Sequence, residues 1–309
     1  MAYDLGTRLV VGIASSALFD LTESDAVFRQ EGEQAYRGYQ QEHLAVPLRP
    51  GTAFPFVRRL LSLNDISPAG DPLVEAIVLS QNDPDTGLRV MRSVEHHGLD
   101  ITRAVFSQGR APYRFMPALN MSLFLSANET DVRQAVAMRL PAGRVLDAAF
   151  ADDPEDRDLR VAFDFDGILA DDASDQVWQT QGLPAFQGHE VANMVTPHEP
   201  GPLRDFLAGL HRIQQREEQH GGEHPGYHRR LRISLVTARS APAHERAVTS
   251  LKQWGVMVND AFFLGGVDKA GVLDVLRPHI FFDDQPKNLT SRHVPGVHVP
   301  FGVINEPAG

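Results

Sequence analysis

The sequence contains no cysteine and no long apolar run, and each absence excludes a class of protein. Without thiols among its 309 residues, disulfide bridges and thiolate metal sites are excluded. No apolar run approaches the ~20 residues that cross a bilayer, and the N-terminal residues lack the basic and then apolar pattern of a signal peptide. We therefore expect a cytoplasmic protein.

Positive charge is also scarce. The chain has 29 Lys and Arg residues against 40 Asp and Glu residues, a formal net charge of −11, which argues against a surface that binds nucleic-acid polymers. A hydrophobic content of 42% is typical of a globular protein. A chain of 309 residues can bury one large core or two ordinary ones.

Four short pieces of the sequence combine apolar strands with polar ends. They are residues 161–167 (VAFDFDG), residues 235–239 (LVTAR), Lys269 and residues 281–285 (FFDDQ). Three of them are apolar runs that end abruptly in polar residues, as buried parallel strands do at their carboxyl ends. Because open α/β sheets bind ligands at that edge, we expect the four pieces to form one site.

The first piece supplies two carboxylates, Asp164 and Asp166, two residues apart at a predicted strand end. A carboxylate can attack phosphorus to form an aspartyl-phosphate, and a second one can protonate the leaving alkoxide and later deprotonate water. The alternative is that this Asp-x-Asp pair only closes a strand with turn residues.

The other three pieces suit a phosphate and a divalent cation. Asp283 and Asp284 are hard oxygen ligands of the kind that Mg²⁺ prefers, although either residue could instead cap a turn. The Thr237 hydroxyl and the Lys269 ammonium could hold phosphate oxygens, or could be an ordinary strand end and a solvated surface lysine. Arg239 could contact the phosphate or a base, or pair with an acid.

The chain also resembles itself. A shift of 150 positions places Leu9 on Leu159, and a shift of 157 later places Ala104 on Ala261; prolines and glycines match along both stretches. We therefore predict an α/β fold with a doubly wound parallel sheet in two pseudo-repeated modules, residues 1–150 and 151–309, the second with a helical cap at about 168–230. At the positions of the reacting groups the first module has, in order, Ala14, Ser16, Ser80, Pro112, Ser126 and Ala127. We expect the first module to be catalytically silent.

In the second module, the pattern predicts strands at about 159–164, 231–236, 260–264 and 279–283, and helices at about 242–254 and 268–276. Strands that alternate with helices indicate a parallel sheet with right-handed crossovers.

The four pieces resemble the four motifs of haloacid-dehalogenase-like phosphohydrolases. More closely, the chain resembles the cytosolic 5′-nucleotidase I family, above all in the run 277–285 (RPHIFFDDQ) and also in residues 50–57 and 123–127. The resemblance covers nearly the whole chain. It implies a Rossmann-like sheet with a helical cap and Mg²⁺-dependent hydrolysis of nucleoside 5′-monophosphates such as AMP.

Carried over by position, the resemblance implies a role for each residue. Asp164 becomes the nucleophile and Asp166 the acid/base, and Thr237 and Lys269 become phosphate ligands. Asp283 and Asp284 bind Mg²⁺ together with Asp164 and the backbone carbonyl of Asp166. Animal members have glycine where Phe165 stands here, so we expect Phe165 to alter the pocket floor.

Two alternatives remain open at this point. The substrate could be another small phosphomonoester, such as a sugar phosphate, because the chemical motifs do not define the leaving group. The silent first module could bind a regulatory nucleotide, or it could only pack against the second as a subunit of a homodimer would. A homo-oligomer is compatible with either alternative.

Overall fold

The computed structural model describes residues 3–68 and 70–305, which form one ten-stranded sheet with helices on both faces and a separate two-stranded sheet. The strands are β1 (Leu9–Ile13), β2 (Phe19–Asp20), β3 (Arg49–Pro50), β4 (Val74–Ser80), β5 (Arg103–Phe106), β6 (Met121–Ser126), β7 (Ala142–Val145), β8 (Leu159–Phe163), β9 (Leu231–Thr237), β10 (Asp260–Phe263), β11 (Ile280–Asp283) and β12 (Gly296–His298). The helices are α1 (Ser15–Leu18), α2 (Thr22–Glu31), α3 (Glu33–Glu42), α4 (Phe54–Ser62), α5 (Gly87–His96), α6 (Glu129–Ala137), α7 (Ala173–Ala192), α8 (Arg204–Glu223), α9 (His244–Gln253) and α10 (Lys269–Leu276). None of the described helices is long and apolar enough to cross a membrane.

The strand order of the large sheet is β10-β9-β8-β11-β12-β7-β6-β1-β4-β5. From its outer edge inward, the second half therefore runs β10-β9-β8-β11-β12 and the first half runs β5-β4-β1-β6-β7. Every neighbouring pair is parallel except β7 and β12, which pair antiparallel where the halves meet. The predicted α/β class and the mostly parallel sheet are confirmed.

The predicted strands and helices of the second half lie within two residues of the observed ones at each end. The central strands β1, β4, β8 and β11 are mostly apolar and do not alternate, because both faces of the sheet are covered; Glu75 and Arg160 near the start of β4 and β8 and Asp283 at the end of β11 are their charged residues. This coverage explains why a mostly apolar run, rather than an alternating one, predicts the strands here.

The two faces of the sheet have different cores. Alternate residues of β1 and β8, such as Leu9 and Val161, belong to one apolar cluster that extends across both halves. On the opposite face, Val10 lies in a cluster of the first half and Ala162 in a separate cluster of the second. The halves therefore share one core and each has a second core of its own.

The predicted cap region, 168–230, contains helices α7 and α8. Helix α8 packs against β1 and β6, and its residues Phe206, Leu207 and Leu210 are buried in the shared core. Helix α7 follows the strand that carries the first acidic motif and is interrupted at Gly182, which has a φ of 81°. In the first half, Gly32 separates α2 from α3 with a φ of 85°.

Candidate active site

Three neighbouring strands bring the predicted site residues to the carboxyl edge of the sheet. Strand β8 lies between β9 and β11, and its last residue, Phe163, is level with Leu235 and Phe282. Asp164 therefore lies beside Asp283, and Thr237 ends the strand on the other side. The alternating strand–helix order that predicted a parallel sheet also explains why residues more than a hundred positions apart meet here.

The nearest groups are three carboxylates and one ammonium. Carboxylate oxygens of Asp164, Asp283 and Asp284 all lie within 4.8 Å of one another. The Lys269 Nζ is 2.7 Å from Asp164 Oδ2 and 2.7 Å from Asp283 Oδ2. All four side chains are buried. Three buried acids and a single lysine leave an excess of negative charge, which calls for a further cation.

Asp284 is the least satisfied of these acids. Its Oδ1 is buried and has no hydrogen-bond partner among the described residues. Burial, together with the charges of Asp164 and Asp283, raises the pKa of Asp284 to about 9. The backbone leaves room for this side chain only because residue 167 is glycine: its φ is 69°, and a Cβ there would lie 2.9 Å from Asp284 Oδ2.

Asp283, in contrast, has protein partners for both oxygens. Its Oδ1 accepts hydrogen bonds from the Gln285 backbone N–H at 2.8 Å and from Asn288 Nδ2 at 3.0 Å, while Oδ2 faces Lys269. Asp164 accepts a bond from the Phe165 backbone N–H at 2.7 Å. Burial raises the pKa of Asp164 to about 7, against the opposing effect of Lys269.

This donor set fits a hard divalent cation. Asp164, Asp283 and Asp284 offer carboxylate oxygens around one point, and the buried Oδ1 of Asp284 has no partner within residues 3–68 and 70–305. Oxygen ligands of this kind suit Mg²⁺ better than softer transition metals. The cluster is therefore a candidate metal site, as the sequence predicted.

Asp166 lies in a different network, which is built around Arg239. The Arg239 guanidinium donates to both Asp166 oxygens, through Nε at 2.8 Å and Nη2 at 2.6 Å. It also pairs with Glu190 of α7, whose other oxygen accepts a bond from Arg246 at 2.9 Å. Glu190 is fully buried; burial opposes its ionisation, but hydrogen bonding to His198 and the charge of Arg239 hold its pKa well below the usual range.

Arg239 therefore pairs with acids, one of the alternatives that the sequence left open. The guanidinium is 1% exposed and its described partners are protein groups, so its contact with a substrate stays a prediction. Phe165 lies directly against it, with the Arg239 Cζ 5.0 Å from the ring centroid. The Phe165 ring is fully buried and stacks against Trp254, so its side chain supports Arg239 from the core.

Two acids near the site were not predicted from the sequence. Glu190 is one, and Asp175 in the first turn of α7 is the other. Burial and the charges of Asp166 and Asp164 raise the pKa of Asp175 to about 8. The sequence contains one sign of Asp175: a shift of 150 positions places Asp25 of the first half on it. Thr237, in contrast, is where the sequence predicted it, buried at the end of β9 with its Oγ1 3.3 Å from the Arg239 backbone N–H.

Comparison with known proteins identifies the family to which this chain belongs. A family model described as 5′-nucleotidase matches residues 1–306. The chain belongs to the 5′-nucleotidase family. It is also 32% identical over 281 residues to the human protein cytosolic 5′-nucleotidase 1B. That alignment covers 89% of this chain and 46% of the human protein, so the chain spans about half the length of that relative.

No solved structure matches the chain. The positions of the site residues described above therefore come from the structure of this chain and not from that of a solved relative. The match includes the first half, in which the shifted sequence predicts Ala14, Ser16 and Ala127 at the positions of Asp164, Asp166 and Asp284. The family match thus extends over both halves, while the one acidic cluster that could hold a metal among the described residues lies at the edge of β8 and β11.

Proposed function

We propose that the chain is a 5′-nucleotidase that hydrolyses nucleoside 5′-monophosphates, with AMP-like substrates as the expected class. The observation that supports this most directly is the convergence of Asp164, Asp283 and Asp284 within 4.8 Å around a candidate metal position. Membership of the 5′-nucleotidase family, and the name of the human relative, point to the same activity.

In the first step of the proposed mechanism, a carboxylate oxygen of Asp164 attacks the phosphorus and the bond to the 5′ oxygen breaks. Asp166 gives its proton to the leaving 5′ oxygen, so that the nucleoside departs as an alcohol and phosphate stays on Asp164. In the second step Asp166 takes a proton from water, the water oxygen attacks phosphorus, and Asp164 and inorganic phosphate are released.

Lys269 and Thr237 are proposed to hold the phosphoryl oxygens. Lys269 lies 2.7 Å from the nucleophile, so its charge is already placed beside the reacting bond. Asp164, Asp283, Asp284 and the backbone carbonyl of Asp166 would hold Mg²⁺, and Asp283 also fixes Lys269 from the other side. When bound, Mg²⁺ would offset the negative charge of the transferring phosphoryl group.

Arg239 is proposed as a positioning residue for Asp166. Its two hydrogen bonds fix both oxygens of that carboxylate, and Glu190 connects the same guanidinium to α7. A residue of the predicted cap is thereby linked to the acid/base. Binding of the substrate under α7 and the orientation of Asp166 would then be coupled.

The two halves are proposed to be copies of one module, residues 1–150 and 151–309, of which only the second is catalytic. Their identical strand order supports this. Individual contacts do so as well: Leu48 N–H donates to Ser93 Oγ as His198 N–H does to Ser250 Oγ, both at 2.9 Å. The proposed regulatory nucleotide of the first half would need a cavity there, and the described residues form one.

The name of the human relative suggests a cytoplasmic location for this chain too, which agrees with the expectation from its sequence. A small-molecule substrate, rather than a nucleic-acid polymer, is proposed on the same basis. The oligomeric state stays a prediction.

The decisive experiment compares Asp164→Asn with the unaltered chain, in Mg²⁺, on nucleoside monophosphates and sugar phosphates. We expect Asp164→Asn to abolish phosphate release, because an amide does not form the acyl-phosphate. Asp205→Asn, which changes an exposed carboxyl on α8, is the matched control and should leave the rate unchanged. Rapid quenching should also show phosphate covalently attached to Asp164 in the unaltered chain.

Near-normal nucleotide hydrolysis by Asp164→Asn would reject the proposed nucleophile. A kcat/KM that is higher for sugar phosphates than for every nucleotide tested would keep the chemistry and reject the substrate class. Phosphate release that is unaffected by removal of divalent cations would reject the metal site.

A further inference from the structure

The first half contains a cavity of about 660 Å³ at the carboxyl edge of β1, β4 and β6. Its floor is formed by strand ends and its outer wall by helices α2 and α3. This is a point where the strand order of the half reverses, between β1 and β6, which is where open α/β sheets bind ligands. Its volume is within the usual range for small-molecule sites.

The floor of this cavity carries no charge. At the positions of Asp164, Asp166 and Asp284 it has Ala14, Ser16 and Ala127. Lysine is absent as well, because Pro112 stands at the position of Lys269. What remains is a set of hydroxyls, in which Ser15 Oγ and Ser80 Oγ lie 3.1 Å apart. The metal ligands and the phosphate-binding cation have thus been lost together.

The walls are acidic. Four carboxylates, those of Asp25, Glu33, Asp83 and Asp131, line the cavity, against the single guanidinium of Arg37. Arg37 already pairs with Asp83 at 2.7 Å and with Glu33 at 3.0 Å. Burial also raises the pKa of Asp131, whose side chain is 8% exposed, so water solvates this carboxyl poorly. A phosphate dianion would meet like charges here without a free cation to offset them.

The same walls can recognise a ring and hydroxyl groups. Phe28 is 50% exposed and packs edge-on against Tyr36, with ring centroids 5.7 Å apart, so one face of Phe28 is free to stack on a flat ligand. Asn82 accepts a bond from the Tyr36 hydroxyl, while its Nδ2 is buried and has no partner among the described residues. Carboxylates such as Asp25 are strong acceptors for ligand hydroxyls.

We propose that this cavity binds an uncharged nucleoside, with its base against Phe28 and its ribose hydroxyls towards the acidic wall. The ligand class rests on the proposed function, since a nucleoside is one of the two products of nucleotide hydrolysis. The proposal also changes the regulatory ligand suggested for the first half: the cavity would bind a nucleoside and would exclude a nucleotide because of its phosphate.

Calorimetry on the full chain in the presence of a chelator, which stops the proposed Mg²⁺-dependent turnover of AMP, tests the proposal with adenosine, AMP, ADP and inorganic phosphate as separate ligands. Phe28→Ala removes the stacking face, and Phe115→Ala, which changes another phenylalanine that is 50% exposed but does not line the cavity, is the matched control. Loss of a base–aromatic stack weakens binding by about 5- to 150-fold. We therefore expect adenosine to bind at least about fivefold more weakly to Phe28→Ala, and with unchanged affinity to Phe115→Ala.

A second variant, Ala127→Leu, fills the floor and should remove the same binding event even if Phe28→Ala misfolds. The proposal is overturned if adenosine binds equally well to all three variants, if it does not bind at all, or if the event lost in Ala127→Leu is stronger for ADP or AMP than for adenosine. The binding measurement does not require phosphate release. It can therefore be interpreted even if the proposed hydrolysis is wrong.

Discussion

Replacement of Arg239 by glutamine tests whether this residue acts through Asp166. The arginine makes two charge-assisted hydrogen bonds to Asp166, at 2.8 and 2.6 Å, and glutamine can replace at most one of them without the charge. One hydrogen bond to a charged group contributes about 1.5–3 kcal/mol. At 1.36 kcal/mol for each tenfold in rate, its loss corresponds to a fall of about tenfold to 150-fold in kcat. This expected fall in kcat does not exceed the rate enhancement that general acid catalysis usually provides, about 10²–10⁴-fold.

The assay compares two leaving groups. A nucleoside alkoxide is a strong base and needs the proton of Asp166, whereas p-nitrophenolate leaves without one. We therefore expect Arg239→Gln to slow single-turnover release of adenosine from AMP by about 10²-fold. The burst of p-nitrophenolate from p-nitrophenyl phosphate should change by less than about threefold, because Asp164 and Lys269 are intact and only the proton transfer has been impaired.

Stability needs its own control, because Arg239→Gln removes one of the two guanidinium partners of the buried Glu190 and leaves only that of Arg246. Breaking a buried ion pair by removing one member costs about 3–5 kcal/mol. In Arg239→Gln/Glu190→Gln both charges are absent, as in the first half, where Asn82 and Gln40 stand at the corresponding positions. We expect the double variant to recover much of the free energy of unfolding and none of the AMP rate.

Two results would refute this reasoning. If both substrates slow equally, Arg239 acts on a step common to them, such as phosphate binding. If the double variant regains the AMP rate together with its stability, the single variant was merely unfolded and Asp166 needs no positioning.

Three further outcomes are expected. Lys269→Met should lower kcat by about 10²–10³-fold, because it removes the cation 2.7 Å from the nucleophile; a loss of less than about fivefold would contradict its role. Gly167→Ala should weaken Mg²⁺ binding in a titration, since its Cβ would lie 2.9 Å from Asp284 Oδ2; unchanged affinity would exclude Asp284 as a ligand. The pKa of Asp284 (about 9) and the pKa of Asp164 (about 7) both exceed the value of about 4 for these residues in an unfolded chain. Without metal, the free energy of unfolding measured in urea should therefore fall between about pH 4 and about pH 9. The stabilisation that Mg²⁺ provides should grow over the same range, because the metal binds the ionised carboxylates. A metal effect independent of pH would contradict the last expectation.

Much of the site could be predicted because its residues lie at strand ends. Asp164, Thr237 and Asp283 each end an apolar run, and the parallel order of β9, β8 and β11 is sufficient to bring them together. The orientation of Phe165 does not follow from that geometry, because the residue lies in a bend after β8 and not in the strand. Its ring is fully buried against Trp254, and its effect on the pocket floor stays a prediction.

The Glu190–Arg239 pair could not be predicted in the same way. Glu190 lies on α7, whose orientation depends on packing against α9 and on the break at Gly182 rather than on a local pattern. A buried glutamate in the last turn of a helix, such as Glu190, is indistinguishable in sequence from a solvated one. Likewise, α8 was predicted as part of a cap, and only its buried Phe206 and Leu210 show that it lies against the sheet.

The exchange of helices between the halves explains why a silent first half would be retained. Helix α8 of the second half packs on β1 and β6, and helix α4 of the first half packs on β8, so each covers strands of the other half. Strands β7 and β12 also pair and close one edge of each half-sheet. An unpaired edge and an uncovered apolar face both favour aggregation. The strand that ends in Asp164 is therefore held partly by α4, and loss of the first half would remove that support as well as any ligand site.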